Sequence, residues 1–415
     1  MPFKTIHIAL SPNNTWRDTL AAVGMLVLPW NWFGWKRGRA VGQLEAEFRG
    51  MMGVDFAVAV GSGREALYLI LKSLNLKDGE EVLVQSFTCM VVINSIIWNK
   101  LKPVYLDIED NYNFSAAELS KKITSKTKAV IVQHTFGIPA DIEKIKKVCE
   151  SKKIVLVEDC AHALGASVDG RQVGTFGDMA FYSLGRSKVI SCVNGGIIIC
   201  SNKKYQENLK RQTENLKVNS TGVIFQNLIH PLICSLAKFL YFSPIGKILM
   251  VAAQRFKLIN LEVTRGEKEA IKPALFPTKL SNAMARIALI QLDELKSFNK
   301  KRREIAGYYF KHLRIKQKIN PAEFPGAIFL RYPLQIKNPQ KVLMAAKNSG
   351  IILGDWYSSP IAPLDIAIEK TEYVPGECGH CEKINSRMIN LPTHYSLKEK
   401  DLEKIVKIVN QNAEN

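Results

Sequence analysis

Between residues 56 and 200, short runs rich in valine and isoleucine alternate with longer amphipathic stretches. This alternation leaves few folds open to the chain. Residues 56–60, 81–85, 103–108, 129–134 and 154–157 have the apolar, β-branched character of buried strands. Residues 43–52, 67–74, 89–98, 115–123 and 140–151 carry helical spacing. A strand followed by a helix, repeated, makes crossovers rather than hairpins, and crossovers build parallel sheets. The expected class is α/β, with a largely parallel sheet flanked by helices on both faces. Two further strands, 179–183 and 196–200, follow. A long helix over 280–310 then leads into a smaller α/β segment, with strands at 328–332 and 351–352 and a closing helix at 397–409. The chain divides into an arm (1–41), a large domain (42–280) and a C-terminal domain that includes the linking helix (281–415).

The chemistry concentrates in 157–196. Glu158-Asp159 lies just past an apolar run, at the end of a strand where open α/β sheets take ligands. Ser183 and Lys188 follow a second such run. Taken singly these are ordinary residues, because lysines are mostly solvated and an aspartate after a strand often caps a turn. Together they suit pyridoxal phosphate. That cofactor needs an anion at its ring nitrogen and a lysine amine neutral enough to attack a carbonyl. Asp159 supplies the first, Lys188 the second as a Schiff base, and Ser183 a hydroxyl for the phosphate. Gly61-Ser62-Gly63-Arg64 precedes a helix, where glycines let backbone N–H groups approach a phosphate.

The formal net charge is +19, from 57 Lys and Arg against 38 Asp and Glu, and such a surface attracts anionic ligands. No helix-turn-helix or repeated basic-aromatic module is present, so nucleic acid is not expected as a partner. The eight cysteines form no disulfide framework, and Cys160, Cys192, Cys200 and Cys234 lie in or beside apolar runs as reduced core residues, which suggests the cytoplasm. Cys378-Gly-His-Cys381 stands without a second pair, so no metal site is expected.

Two segments depart from this ordinary pattern. Residues 1–40 hold four of the six tryptophans, and Trp30, Trp32 and Trp35 are interleaved with Lys36, Arg37 and Arg39. Residues 215–261 form an apolar insert without one acidic side chain. Pro231, Pro244 and Gly246 argue against a single spanning helix there. Both segments, 1–40 and 223–253 in particular, suit peripheral membrane contact; the first equally suits an arm packed on the protein's own body or on a second subunit, and the second a subunit interface or a lid over the active site.

From residue 43 onward the chain resembles the DegT/DnrJ/StrS family of sugar aminotransferases, with fold type I architecture. The resemblance rests on Gly61-Ser-Gly-x-x-Ala-Leu67, Ser86-Phe-Thr88, Pro103-Val-Tyr-Leu-Asp107, Glu158-Asp-x-Ala161, Phe181-Tyr-Ser183, Lys188, Gly195-Gly196 and Asn390-Leu-Pro-Thr-His394. It implies ping-pong transamination on pyridoxal 5'-phosphate, with glutamate as donor and a nucleotide-diphosphate keto-deoxysugar as acceptor, in a homodimer. It further implies Lys188 as the Schiff-base residue, Asp159 at the ring nitrogen, and Ser183 with the backbone of Gly63 and Arg64 at the phosphate. His162 stands where the family usually has a glutamine near the phenolic oxygen. Cys89 replaces a ring that stacks on the cofactor, Arg64 a small threonine and Gly185 a histidine. Pro277-Thr278-Lys279 replaces an Asn-Tyr-Arg whose asparagine reaches the partner subunit's phosphate site. A lyase of the same fold is the rival enzyme, although its dehydratase branch has histidine in place of Lys188. A membrane scaffold without activity is the rival outside enzymes.

Overall fold

The computed structural model describes residues 5–9, 11–240, 244–256, 258–259 and 261–413. Parts of both unusual segments, residues 1–4, 10, 241–243, 257 and 260, lie outside the described residues.

The centre is a nine-stranded sheet. Its strands are β1 (Phe56–Val60), β2 (Glu81–Gln85), β3 (Lys102–Leu106), β4 (Thr127–Gln133), β5 (Val155–Asp159), β6 (Met179–Ser183), β7 (Gly196–Cys200), β8 (Lys217–Val218) and β9 (Thr278–Lys279). Their spatial order is β8-β9-β1-β7-β6-β5-β4-β2-β3. From β3 to β6 every pairing is parallel, whereas β7 runs antiparallel to β6 and β1, and β1 antiparallel to β9 as well.

Both faces of the sheet are covered, which is why its strands read as continuous apolar runs. Alternation along β7 shows the division. Ile197 and Ile199 join one core with α2 (Ala40–Met52) and α11 (Asn282–Asp293). Ile198 and Cys200 join the other, with α3 (Gly63–Ser73) and α4 (Met90–Ile97). On the first face, under β2, β4 and β5, α5 (Ala116–Lys122) and α6 (Ile142–Lys152) complete the layer.

The C-terminal segment pairs β10 (Arg331–Gln335) antiparallel with β11 (Met388–Pro392), and packs α12 (Leu295–His312), α13 (Pro339–Asn348) and α15 (Glu399–Asn412) into the larger core. Three expectations need correction. The helix over 280–310 is two helices, because Glu294 closes α11 with short bonds to the Gln291 and Leu292 carbonyls and opens α12. The strand expected at 328–332 starts at Arg331 instead. Ile328 and Leu330 donate to Gly137 and Phe136, which draws them away from the sheet. The proline at 231 does not end a helix either. Thr221–Leu240 (α8) runs through it for 20 residues, long and apolar enough by composition to cross a membrane. Only 44% of its apolar window is buried, against α1 (Trp16–Val27), α9 (Pro244–Arg255) and α11. A missing N–H costs one helical hydrogen bond, which these flanking contacts offset. The arm adds a strand not expected from sequence, Ile6–His7, parallel to Ile351–Ile352. It also adds α1, closed at its start by a Thr15/Asp18 capping box.

Candidate active site

The carboxyl ends of β1, β5 and β6 surround a cavity of about 300 Å³. Parallel register makes the site. Asp159 ends β5 beside Gln133 of β4 and Phe181 of β6, and Ser183 ends β6 beside Gly196. Two glycines bring the α3 loop onto this edge. A Cβ on Gly63 would lie 2.8 Å from the Ser183 Cβ, and one on Gly196 would lie 2.4 Å from the Ser62 carbonyl oxygen. The first turn of α3, capped by the Ser62 hydroxyl, therefore opens beside Ser183. Unpaired N–H groups at a helix start favour an anion there.

The two carboxylates of Glu158-Asp159 divide by strand alternation. Glu158 is fully buried and accepts four hydrogen bonds: from His134 Nε2 (3.1 Å), Gly174 N (2.7 Å), Phe176 N (2.7 Å) and Gly177 N (2.6 Å). His134 Nδ1 accepts from Ala140 N at 3.1 Å, so Nε2 carries the proton. Cys160 lies close enough for a three-ligand cluster, but these donors already occupy the Glu158 oxygens. Asp159 instead lines the cavity, with Oδ1 accepting from Ala161 N at 2.9 Å. Burial pushes its carboxyl up to about 6, against the pull of the Ala161 N–H, Lys188 and His134.

Lys188 lines the same cavity, with Nζ 5.5 Å from the centre of the Trp356 ring. Burial lowers its pKa. Glu262, Cys89 and Asp159 oppose that shift, and Arg331 adds to it. The lysine's backbone is fixed from outside the sheet. Asn13 donates to its carbonyl, and Arg302 Nη2 donates to the Val189 carbonyl at 2.6 Å and to Asn13 Oδ1 at 3.0 Å.

His162 lies in a stack of rings, 6.1 Å from Phe136 and 6.0 Å from Trp356. Burial holds it well below the usual imidazole range, so it is neutral. Its Nδ1 faces the Phe136 N–H at 3.4 Å, which leaves the proton on Nε2 as a donor. Cys89 is half-buried on the cavity wall.

All the residues singled out in the sequence, Lys188, Asp159, Ser183, Gly63, Arg64, Cys89 and His162, line this one cavity. Several wall residues were not foreseen. Trp356 and Tyr357 bring aromatic faces from the C-terminal segment, with rings stacked at 5.6 Å. Glu262, Val263 and Lys268 come from beyond the insert. The Arg64 side chain is tied to this segment, paired with the Glu267 carboxylate and bonded to the Glu262 carbonyl. Ser187 donates to the Glu262 carboxylate at 3.2 Å. Glu262 did leave a signal in the sequence, as the residue that ends the long acid-free run.

The donor set suits a phosphorylated pyridine aldehyde. A carboxylate and an amine face one cavity beside a helix start, and Arg186 lines it with a buried Nε that has no hydrogen-bond partner among the described residues. Thr278 serves its own chain, its carbonyl accepting from Gly61 N at 2.9 Å and its hydroxyl bonding Glu65.

A sequence model of the DegT/DnrJ/EryC1/StrS aminotransferase family matches residues 25–228 and 252–410, leaving out the middle of the insert. The chain is 24% identical over 397 residues to a UDP-N-acetyl-3-dehydro-alpha-D-glucosamine 3-aminotransferase of Acidithiobacillus ferrooxidans, covering 94% of this chain and 93% of that one. It is 36% identical over 169 residues to the GDP-perosamine synthase of Vibrio cholerae, covering 40% of this chain and 46% of the relative. Among solved structures, a putative sugar aminotransferase of Streptococcus pneumoniae in its PMP form superposes with a TM-score of 0.74 at 20% identity, over 99% of this chain and 98% of that one.

Proposed function

The chain belongs to the DegT/DnrJ/EryC1/StrS aminotransferase family, whose enzymes depend on pyridoxal 5'-phosphate, and from that premise we propose the reaction, the substrates and the roles of its residues. The enzyme transfers an amino group from an amino-acid donor, glutamate, to the keto carbon of a nucleotide-diphosphate keto-deoxysugar. Relatives named for UDP-sugar and GDP-sugar amination support the acceptor class, and the basic surface suits its phosphates. The observation that carries the reading is the meeting of Lys188 and Asp159 in one buried cavity beside the start of α3.

When bound, the cofactor supplies a carbonyl for the amine and a protonated ring that accepts an electron pair. Lys188 would hold it and, once displaced by the donor, would move a proton between the reacting carbons. Burial raises the share of neutral amine available for this work. Asp159 would face the ring nitrogen. With its pKa raised only to about 6, it stays mostly ionised at neutral pH and can keep that nitrogen protonated. Ser183 and the backbone N–H groups of Gly63 and Arg64 would take the phosphate. The His162 Nε2 proton would be offered to the phenolic oxygen. Cys89 leaves stacking to the neighbouring rings, with Trp356 and Tyr357 on the same cavity.

The assembly is proposed to be a homodimer in the cytoplasm, where eight free thiols stay reduced. Purified protein incubated with pyridoxal phosphate should absorb visible light, and Lys188→Ala should abolish that band. A colourless parent protein would sink the reading. Nucleotide-linked keto-sugars assayed with glutamate then identify the acceptor.

A further inference from the structure

The arm and the insert are far apart in sequence, yet α1 packs along α8, and α8 along α9. Their outer surfaces carry large apolar side chains that no other described residue covers. In the arm these include Trp16 (73% exposed), Trp30 (69%) and Phe33 (93%), and in the insert Phe239 (83%), Ile248 (64%) and Phe256 (73%). The charge pattern is one-sided. Residues 1–44 and 215–261 hold ten lysines and arginines and a single carboxylate, Asp18. That carboxylate is 1% exposed and is spent on the Thr15 cap and Gln291. Lys36, Arg37, Arg39 and Arg255 are all exposed.

We propose that this face, built by α1, the 3-10 turn Pro29–Gly34, α8 and α9, docks on an anionic lipid bilayer. Indoles and phenyl rings enter the interfacial layer, and the cations meet lipid phosphates. The charge pattern selects this occupant over a second copy of the chain. Arg17 of α1 is matched by Asp293 and Glu294, but Lys36, Arg37, Arg39 and Arg255 remain as an excess of positive charge, so a two-fold contact, which places the same patch against itself, would set like charges together and repel. α8 itself lies flat rather than crossing, because its buried side is held by α1 and α11. The docked face reaches the cavity through one short segment: Leu261 is half exposed, and Glu262 next to it lines the cavity.

The test is flotation of the full chain with phosphatidylcholine vesicles, with and without phosphatidylglycerol, at low and high salt. The parent should float only with phosphatidylglycerol and should detach as salt rises. F33S/F239S and K36E/R37E should each lose flotation while keeping the parent's circular dichroism. A parent that stays unbound to phosphatidylglycerol vesicles at low salt overturns the proposal. So does a parent oligomer, seen by light scattering, that dissociates in F33S/F239S while flotation is unchanged, because that would assign the face to a second copy.

Discussion

Replacing Glu158 by glutamine removes one negative charge and turns one acceptor oxygen into a donor. The four bonds are shared evenly between the oxygens: Oε1 takes Phe176 N and Gly177 N, and Oε2 takes Gly174 N and His134 Nε2. An amide oxygen can keep one of these pairs. The NH2 group then faces two donors. His134 cannot relieve the clash by moving its proton to Nδ1, because Nδ1 accepts from Ala140 N. Two charge-assisted bonds are lost, each of about 1.5–3 kcal/mol, so Glu158→Gln should destabilise the fold by about 3–6 kcal/mol. A typical folded protein has only about 5–15 kcal/mol in total. Urea unfolding of the cofactor-free protein measures the difference. A variant within about 1 kcal/mol of the parent would refute the account of Glu158 as the strut that holds residues 174–177 against the end of β5.

Asp159→Asn should act in the opposite direction on stability. Its folded pKa is about 6, above the ordinary 3.8, so its ionised form destabilises the cofactor-free fold by up to about 3 kcal/mol above pH 6, and the penalty vanishes as pH falls below about 4. The variant should therefore unfold at higher urea than the parent at pH 7.5 and at equal urea near pH 4, while binding pyridoxal phosphate more weakly. Equal midpoints at pH 7.5 would contradict it. Arg64→Thr leaves the buried Glu267 carboxylate without its cation, at a cost of about 3–5 kcal/mol. Limited proteolysis should then cut faster around 262–268, and an unchanged digestion pattern would show that the pair does not hold this segment. Asn13→Ala removes a tie between the arm and the Lys188 backbone. It should lower the transamination rate while leaving the visible band in place, and a normal rate would dismiss the arm as a positioning element.

Seven of the nine strands of the central sheet were readable because they are buried on both faces, so each appears as an apolar run; the two-residue strands Lys217–Val218 and Thr278–Lys279 carry no such run and were not expected. Asp159, Ser183 and Lys188 were readable for the same reason, since each follows such a run within 157–196. Trp356 and Tyr357 were not, and Glu262 showed only as the residue that ends the acid-free run 215–261. They reach the cavity from distant parts of the chain, and no local spacing marks a residue that acts only after tertiary packing. The break in the long helix over 280–310 was missed because its apolar spacing continues across Glu294, whose N–H bonds the Gln291 and Leu292 carbonyls rather than one four residues back. At Pro231 local propensity lost to context: the neighbouring helices keep the chain helical on both sides of the ring.

The placement of the indoles gives the protein a built-in optical readout. Trp356 stacks under the Arg331 guanidinium at 3.9 Å and stands 5.5 Å from the Lys188 amine, so a chromophore attached there should quench its emission. Trp16, Trp30 and Trp32 lie on the exposed arm, where emission should shift to the blue on leaving water. Loss of intensity and change of colour therefore report separately on a loaded cavity and an engaged face, in one cuvette and without a label.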